Sequence, residues 1–273
     1  LGVTPKLVLL SVGEDPASQV YLRRKEEASA RVGIEVERMH WEAADDPGDL
    51  RRRLQQLSAD SGVHGVLLQL PLPAGWDAQA LQDLLPVDKD VDGLHPMNAG
   101  RLALGLPGFV PCTPLGILGM LRHYDVDPAG KQVVVMGRSA IVGRPMANLL
   151  SQKGVDATVT VVHSRTANMA EICRQAEILI VAIGSRQMVT AEFVRPAATV
   201  IDVGIHRLDD ATRPRGFRLV GDVDAASVKP VASALSPVPG GVGPLTVAYL
   251  LENTVLAAER LSGNSPTSDT GRE

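Results

Sequence analysis

The chain has 273 residues and a formal net charge of −4, and its hydrophobic share of 45% includes only 3% aromatic residues. The Arg51-Arg52-Arg53 run lies on an expected helix face and no strongly basic tract stands out, which argues against nucleic acid as a partner, because such binding rests on clustered positive charge. No apolar stretch approaches the roughly 20 residues that span a bilayer, and Cys112 and Cys173 lack metal-ligand spacing, as expected of a cytoplasmic protein with reduced thiols.

With so few aromatic rings the core must be built from Val, Leu, Ile and Ala. Leu7-Val8-Leu9-Leu10, Val66-Leu67-Leu68 and Ile178-Leu179-Ile180-Val181 are continuous apolar runs, not alternating ones. Strands apolar on both faces belong to parallel sheets covered by helices, so the fold class is α/β. In chain order the pattern predicts strand 6–12, helix 16–32, strand 34–41, helix 47–60, strand 64–69 and helix 77–85. The first helix follows Asp15-Pro16, a capping residue and a first-turn proline. Residues 86–111 carry Pro and Gly densely enough to read as an irregular loop, and Thr113-Pro114 then opens a helix to about 123. Beyond it come strand 132–136, helix 143–153, strand 158–162, helix 167–174, strand 177–182, a short helix near 190–195, strand 199–203 and a last helix at 243–261. Two α/β series joined by one long loop imply two lobes with a ligand cleft between them. The expected division is 1–112, 113–240 and 241–262, the last returning to the first lobe, with a disordered tail at 263–273. Leu1 leaves almost no lead-in before the first strand.

The strand Val133-Val134-Val135-Met136 runs directly into Gly137-Arg138-Ser139-Ala140-Ile141-Val142-Gly143. Gly137 permits a sharp turn and Gly143 a close helix, and the first-turn amides then make a site for phosphate. The spacing is G-x-S-x-x-x-G, not the commoner dinucleotide fingerprint, and a tight strand-to-helix turn accounts for the glycines equally well. Where an acidic residue would read a ribose diol, the next strand ends in His163-Ser164-Arg165. A hydroxyl and a guanidinium suit an extra phosphate, so the site is expected to prefer NADP over NAD.

Tyr21 and Lys25 stand four apart, on one helix face. Alone, the pair reads first as an exposed lysine whose stem covers a ring; in a cleft, it reads as an amine that desolvation keeps neutral. Gln69 ends an apolar strand, where a polar side chain faces a ligand or merely closes a strand. Asp88-Lys89-Asp90-Val91-Asp92-Gly93 begins like a calcium loop, but Pro96 and Ala99 occupy its ninth and twelfth positions, where that loop needs a ligand and a bidentate Glu. No metal site is expected. Asp92 beside Gly93 fits a contact with an amino-heterocycle better.

Six motifs in this order resemble one family, the bifunctional methylenetetrahydrofolate dehydrogenase/methenyltetrahydrofolate cyclohydrolases. They are Gly13 to Tyr21 with Lys25, Gln69-Leu70-Pro71-Leu72-Pro73, Asp88 to Gly93, Pro111-Cys112-Thr113-Pro114, Gly137 to Gly143, and Pro237 to Pro244. The resemblance spans about 5–262. It implies a folate-binding catalytic lobe and a Rossmann-like NADP lobe, in a cytoplasmic homodimer of one-carbon metabolism supplying purine biosynthesis. It makes Lys25 the catalytic lysine, with Tyr21 stacking on the folate, Gln69 bonding the lysine and Asp92 anchoring the pterin. It gives Gly137, Arg138, Ser139, Ile141, Gly143, Ser164, Arg165 and Ile205 to the cofactor, and Pro239, Gly240 and Gly241 to the substrate side. Glu27 departs from the family, which commonly has a lysine there, and the family's leading helix is expected to be missing. A two-lobed dehydrogenase for another substrate, such as shikimate, shares the glycine turn but not Tyr21, Lys25 and Gln69.

Overall fold

The structure is a computed structural model that describes residues 2–263. Leu1 and all of the expected disordered tail except Gly263 lie outside the described residues. The chain divides into two compact units, one formed by the chain up to Arg101, Pro107–Val110 and the chain from Val247, the other by Leu102–Leu106 and Pro111–Thr246.

The first unit holds β1 (Lys6–Val12), α1 (Pro16–Arg31), β2 (Glu35–Trp41), α2 (Pro47–Ala59), β3 (Gly65–Leu68), α3 (Ala78–Gln82) and all but the last two residues of α4 (Pro96–Ala103). Its sheet is parallel in the order β2-β1-β3, with Lys6 opposite Glu35 and Leu7 opposite Gly65. Residues 7–12 of the central strand are all buried, as a strand covered on both faces requires. Asp15 caps α1 by accepting the Ser18 amide at 2.7 Å, with Pro16 in the first turn. On α2, Leu50, Leu54 and Leu57 are fully buried against Val8, Leu10, Val66 and Leu68. Each such leucine contributes about 1.5–3 kcal/mol. Arg51 and Arg52 occupy the solvated face, Arg52 pairing with Asp49, and Arg53 reaches Glu37 at 3.5 Å.

Residues 86–111 are not the irregular loop expected. Val87–Lys89 forms a 3-10 turn and Pro96 begins α4. Proline density misled because a proline at a helix start sacrifices an amide that has no helical partner anyway. Asp90, 1% exposed, fixes the segment leading into that helix: its carboxylate accepts the amides of Leu94 (3.2 Å) and His95 (2.8 Å) and Nδ2 of Asn98 (2.9 Å). The His95 ring accepts the Met97 amide at 3.0 Å. Lys89 ties the same segment to the end of α2, its Nζ donating to the carbonyls of Leu57 (2.8 Å), Ser58 (3.3 Å) and Asp60 (2.6 Å). Those carbonyls are among the last of the helix and lack helical partners.

The second unit holds α5 (Cys112–His123), β4 (Gln132–Met136), α6 (Gly143–Leu150), β5 (Thr158–Val162), α7 (Met169–Cys173), β6 (Ile178–Val181), β7 (Thr199–Asp202), β8 (His206–Asp209), β9 (Phe217–Val220), α8 (Ala225–Val228) and β10 (Ala234–Leu235). The last helix, α9 (Val242–Leu261), starts in this unit and from Val247 belongs to the first. The five-stranded sheet is parallel throughout, in the order β10-β7-β6-β4-β5. Val134, Met136, Val162, Leu179, Val181 and Val200 form its core.

Three expected helices are shorter here: α6 stops at Leu150, α7 keeps Met169–Cys173, and the helix near 190–195 is a 3-10 turn at Ala191–Phe193. The β8-β9 hairpin, α8 and β10 were not expected. The hairpin strands read His206-Arg207-Leu208-Asp209 and Phe217-Arg218-Leu219-Val220, too polar and short to register as an apolar run. Among the described residues no helix is long and apolar enough to cross a membrane.

Candidate active site

In the first unit, α1 and the end of β3 bring two sequence-predicted residues together. Lys25 is 8% exposed, and its Nζ donates to Oε1 of Gln69 at 2.9 Å. Gln69 is held by its own backbone, since its amide donates to Leu10 O (2.8 Å) and its Nε2 to Leu70 O (2.7 Å). With Nε2 committed to a carbonyl, the oxygen must face the lysine. Ser18, a buried residue on the same helix, donates to Leu70 O at 3.5 Å, so α1 and this strand end are joined twice. Tyr21 lies one turn before Lys25 and is half-buried. Burial pushes its phenol up and the Arg24 guanidinium opposes that shift. Asp92 is half-buried in the segment that Asp90 and Lys89 anchor.

In the second unit, the turn after β4 is tight. A Cβ on Gly143 would lie 2.2 Å from Gly137 O, and one on Gly137 would lie 2.1 Å from Ala182 O. One expectation needs correction here: the first amides of α6 are not without partners. Ser139 Oγ accepts those of Val142 (3.2 Å) and Gly143 (3.3 Å). A hydroxyl that accepts twice keeps its proton as a donor, so Ser139 presents O–H where bare amides were expected. Arg138, Ser164 and Arg165 are exposed, and Ile141 and Ile205 stand 46% and 42% exposed. The turn after β5 is tied by His163 N to Thr166 Oγ1 (2.9 Å) and Arg165 N to His163 Nδ1 (3.2 Å). Before α9, Gly240 has φ +102°, and a Cβ on Gly241 would lie 2.6 Å from Pro237 O, so the turn carrying Pro239, Gly240 and Gly241 closes on itself.

A buried amine with an oriented acceptor in one unit, and a strand-glycine-helix turn bearing the exposed Arg138 in the other, is the equipment of a dinucleotide enzyme. Two family descriptions match the chain: "Tetrahydrofolate dehydrogenase/cyclohydrolase, catalytic domain" over residues 1–92, and "Tetrahydrofolate dehydrogenase/cyclohydrolase, NAD(P)-binding domain" over residues 111–262. The chain belongs to the tetrahydrofolate dehydrogenase/cyclohydrolase family. It is 54% identical to the bifunctional protein FolD of Synechococcus sp. (strain WH7803), over 95% of this chain and 86% of that protein. The crystal structure of the bifunctional FolD methylenetetrahydrofolate dehydrogenase/cyclohydrolase from Campylobacter jejuni is 42% identical with a TM-score of 0.89, covering 95% of this chain and 89% of that one. The Trypanosoma brucei FolD, complexed with NADP cofactor and inhibitor, is 38% identical with a TM-score of 0.89, covering 95% of this chain and 88% of that one. The two-unit α/β architecture with a Rossmann-like second sheet is that of the family.

Sequence reasoning missed two buried carboxylates of the second unit. Asp202, at the end of β7, accepts the amides of Gly204 (3.0 Å), Asp222 (2.9 Å) and Val223 (3.0 Å). Asp222, fully buried, accepts those of Ile183 (2.8 Å) and Gly184 (2.9 Å) and meets His206 Nε2 at 2.7 Å. An acid closing the apolar run Val200-Ile201 was the available signal. Burial pushes Asp202 up to about 6 against the pull of its three amides, and Asp222's charge adds to the rise. The folded carboxyl therefore holds a proton between about pH 4 and 6 that the unfolded chain releases. Its contribution to stability declines as pH rises through that window, by about 3 kcal/mol in all, and is lowest above pH 6. Carbon-detected NMR of the Asp202 carboxyl is expected to show a midpoint near 6; a midpoint of 4 or below contradicts this account.

Proposed function

We infer that this chain oxidises methylenetetrahydrofolate with NADP and hydrolyses the methenyl product to formyltetrahydrofolate. The observation that carries the inference is the buried Lys25 amine bonded to an acceptor that cannot turn away. NADP, when bound, takes the hydride that leaves the methylene carbon. The product is a cation delocalised over carbon and two nitrogens, and a protonated lysine beside it opposes its formation. A desolvated Lys25 in the amine form avoids that repulsion. One of its N–H groups stays on Gln69 Oε1, which leaves the nitrogen lone pair to take a proton from the water adding to the cationic carbon. One of the two carbon–nitrogen bonds then breaks, the departing nitrogen taking the proton back from the lysine ammonium, and the carbon remains as a formyl group on the other nitrogen. Tyr21 stacks on the flat ring system, and Asp92 anchors its amino and ring N–H groups through paired hydrogen bonds.

The residues present in the second unit fit NADP. Backbone approaches that leave no space for a Cβ at Gly137 and Gly143 bring the turn close to a pyrophosphate. Ser139 offers its O–H, Arg138 its charge, and the exposed Ile141 and Ile205 an apolar cover. Ser164 and Arg165, after β5, meet the phosphate on the ribose. Arg165→Ala is expected to raise KM for NADP about ten- to a hundredfold, the weight of a hydrogen bond to a charged group, and to leave NAD kinetics within about twofold. Steady-state assays with both cofactors check this, and equal losses for both would refute the phosphate contact. We further propose a cytoplasmic homodimer, supported by the family resemblance, the buried thiols of Cys112 and Cys173 suiting a reducing compartment. Sedimentation velocity tests the dimer.

A further inference from the structure

The sheet order places β4 between β5 and β6, so the chain runs outward from β4 to β5 and then crosses back to β6. The order reverses at the carboxyl ends of β4 and β6, the position where open α/β sheets bind ligands. One wall of that crevice begins with Gly137, packed onto Ala182 O. The other continues from Ala182 into Ile183 and Gly184, whose two amides converge on a single oxygen, Oδ2 of Asp222. The other oxygen, Oδ1, meets His206 Nε2 at 2.7 Å. His206 directly follows Ile205, and a Cβ on Gly204 would lie 2.4 Å from the same Oδ1. One buried carboxylate thus gathers the loops after β6 and after β7. Both lie on the side of β4 away from β5, where Ser164 and Arg165 stand.

We propose that Asp222, braced by His206, is the positioning group for the nicotinamide half of the bound dinucleotide. It sets the 183–184 and 204–205 backbones against which the reacting ring lies and touches neither the ribose phosphate nor the hydrolytic lysine. This rests on the second unit being the NADP site. His206 is the removable part of the clasp, being 24% exposed in its side chain while Asp222 is 0%. Its N–H is what Asp222 Oδ1 accepts, and glutamine can present an amide N–H at a similar reach, whereas phenylalanine fills the ring space without a donor.

The test compares the parent with His206→Phe and His206→Gln. Amide exchange at Ile183 and Gly184, followed without cofactor, is expected to quicken about tenfold or more in the phenylalanine variant and to return towards the parent rate in the glutamine variant. NADP-dependent oxidation is expected to lose about ten- to a hundredfold in kcat/KM in the phenylalanine variant and to regain most of it with glutamine. Hydrolysis of methenyltetrahydrofolate without cofactor, and the NADP-to-NAD preference, are expected to stay within about twofold. His206→Ala takes the place of the phenylalanine variant if the ring prevents folding. Unchanged exchange and oxidation, an equal loss of both activities, or failure of glutamine to rescue each overturns the proposal. A parent chain that does not oxidise the substrate with NADP overturns the functional reading instead.

Discussion

Lys25→Met is expected to cut hydrolysis of methenyltetrahydrofolate by about a thousandfold, within the range for loss of a positioned general base. Methionine is long and apolar, so it fills the space of a side chain that is 8% exposed. Its cost to the fold is mainly the acceptor left behind on Gln69, about 1–3 kcal/mol. Substrate binding is expected to stay within about threefold, because Tyr21 and Asp92 are untouched. Hydride removal should fall much less than hydrolysis, since the amine is not where the hydride goes. Lys25→Arg sharpens the result: guanidinium still donates to Gln69 but does not give up its proton in a protein. It is expected to be as deficient in hydrolysis as the methionine variant. An arginine variant that hydrolyses at near the parent rate would show that Lys25 acts as a charge or a donor, not as a base.

Lys25 and Gln69 were each legible as candidates because each breaks a local pattern, whereas their pairing was implied only by the family resemblance. Gln69 is polar at the end of an apolar strand, and Lys25 shares a helix face with an aromatic ring. The parallel sheets were legible for the same reason, since continuous apolar runs leave few alternatives. The Asp222 clasp was not. Its partners come from the loop after β6, the start of a polar hairpin and the strand end after it, and His206 and Asp222 are 16 residues apart with no periodicity linking them. The helix at Pro96–Ala103 was hidden by its own proline, which counts as a breaker unless the carboxylate of Asp90 is known to hold the amides before it. Ser139 shows the same limit at smaller scale: the motif gave the turn, but not that its hydroxyl already accepts the amides of Val142 and Gly143 at the start of α6. Contacts made by backbone groups leave little trace in residue type.

Gly137→Ala is expected to be the most damaging single change in the second unit. Two independent costs add there. The φ of Gly137 is +113°, outside the small left-handed region near +50° to +70° that other residues reach. The new Cβ would also lie 2.1 Å from Ala182 O and 2.9 Å from Ala182 C. Those atoms are backbone, and the strand end that carries them is pinned, Ala182 N by Met136 O at 2.8 Å and Gly137 N by Val162 O at 2.8 Å. No side chain can swing aside, so either β4 and β6 separate or the turn rebuilds. A loss above about 4 kcal/mol follows, the range reserved for strain at a special backbone position. The thermal midpoint should drop by about 10 °C or more, with NADP no longer protecting the chain. Gly130→Ala is the control: its φ is +70° and nothing lies within 4 Å of the added Cβ. It therefore bears the conformational cost alone, about 1 kcal/mol. Calorimetry on both variants separates the two causes. Equal midpoints would mean that crowding against Ala182 contributes nothing, and that the closeness of the two strand ends is not what requires glycine at the turn.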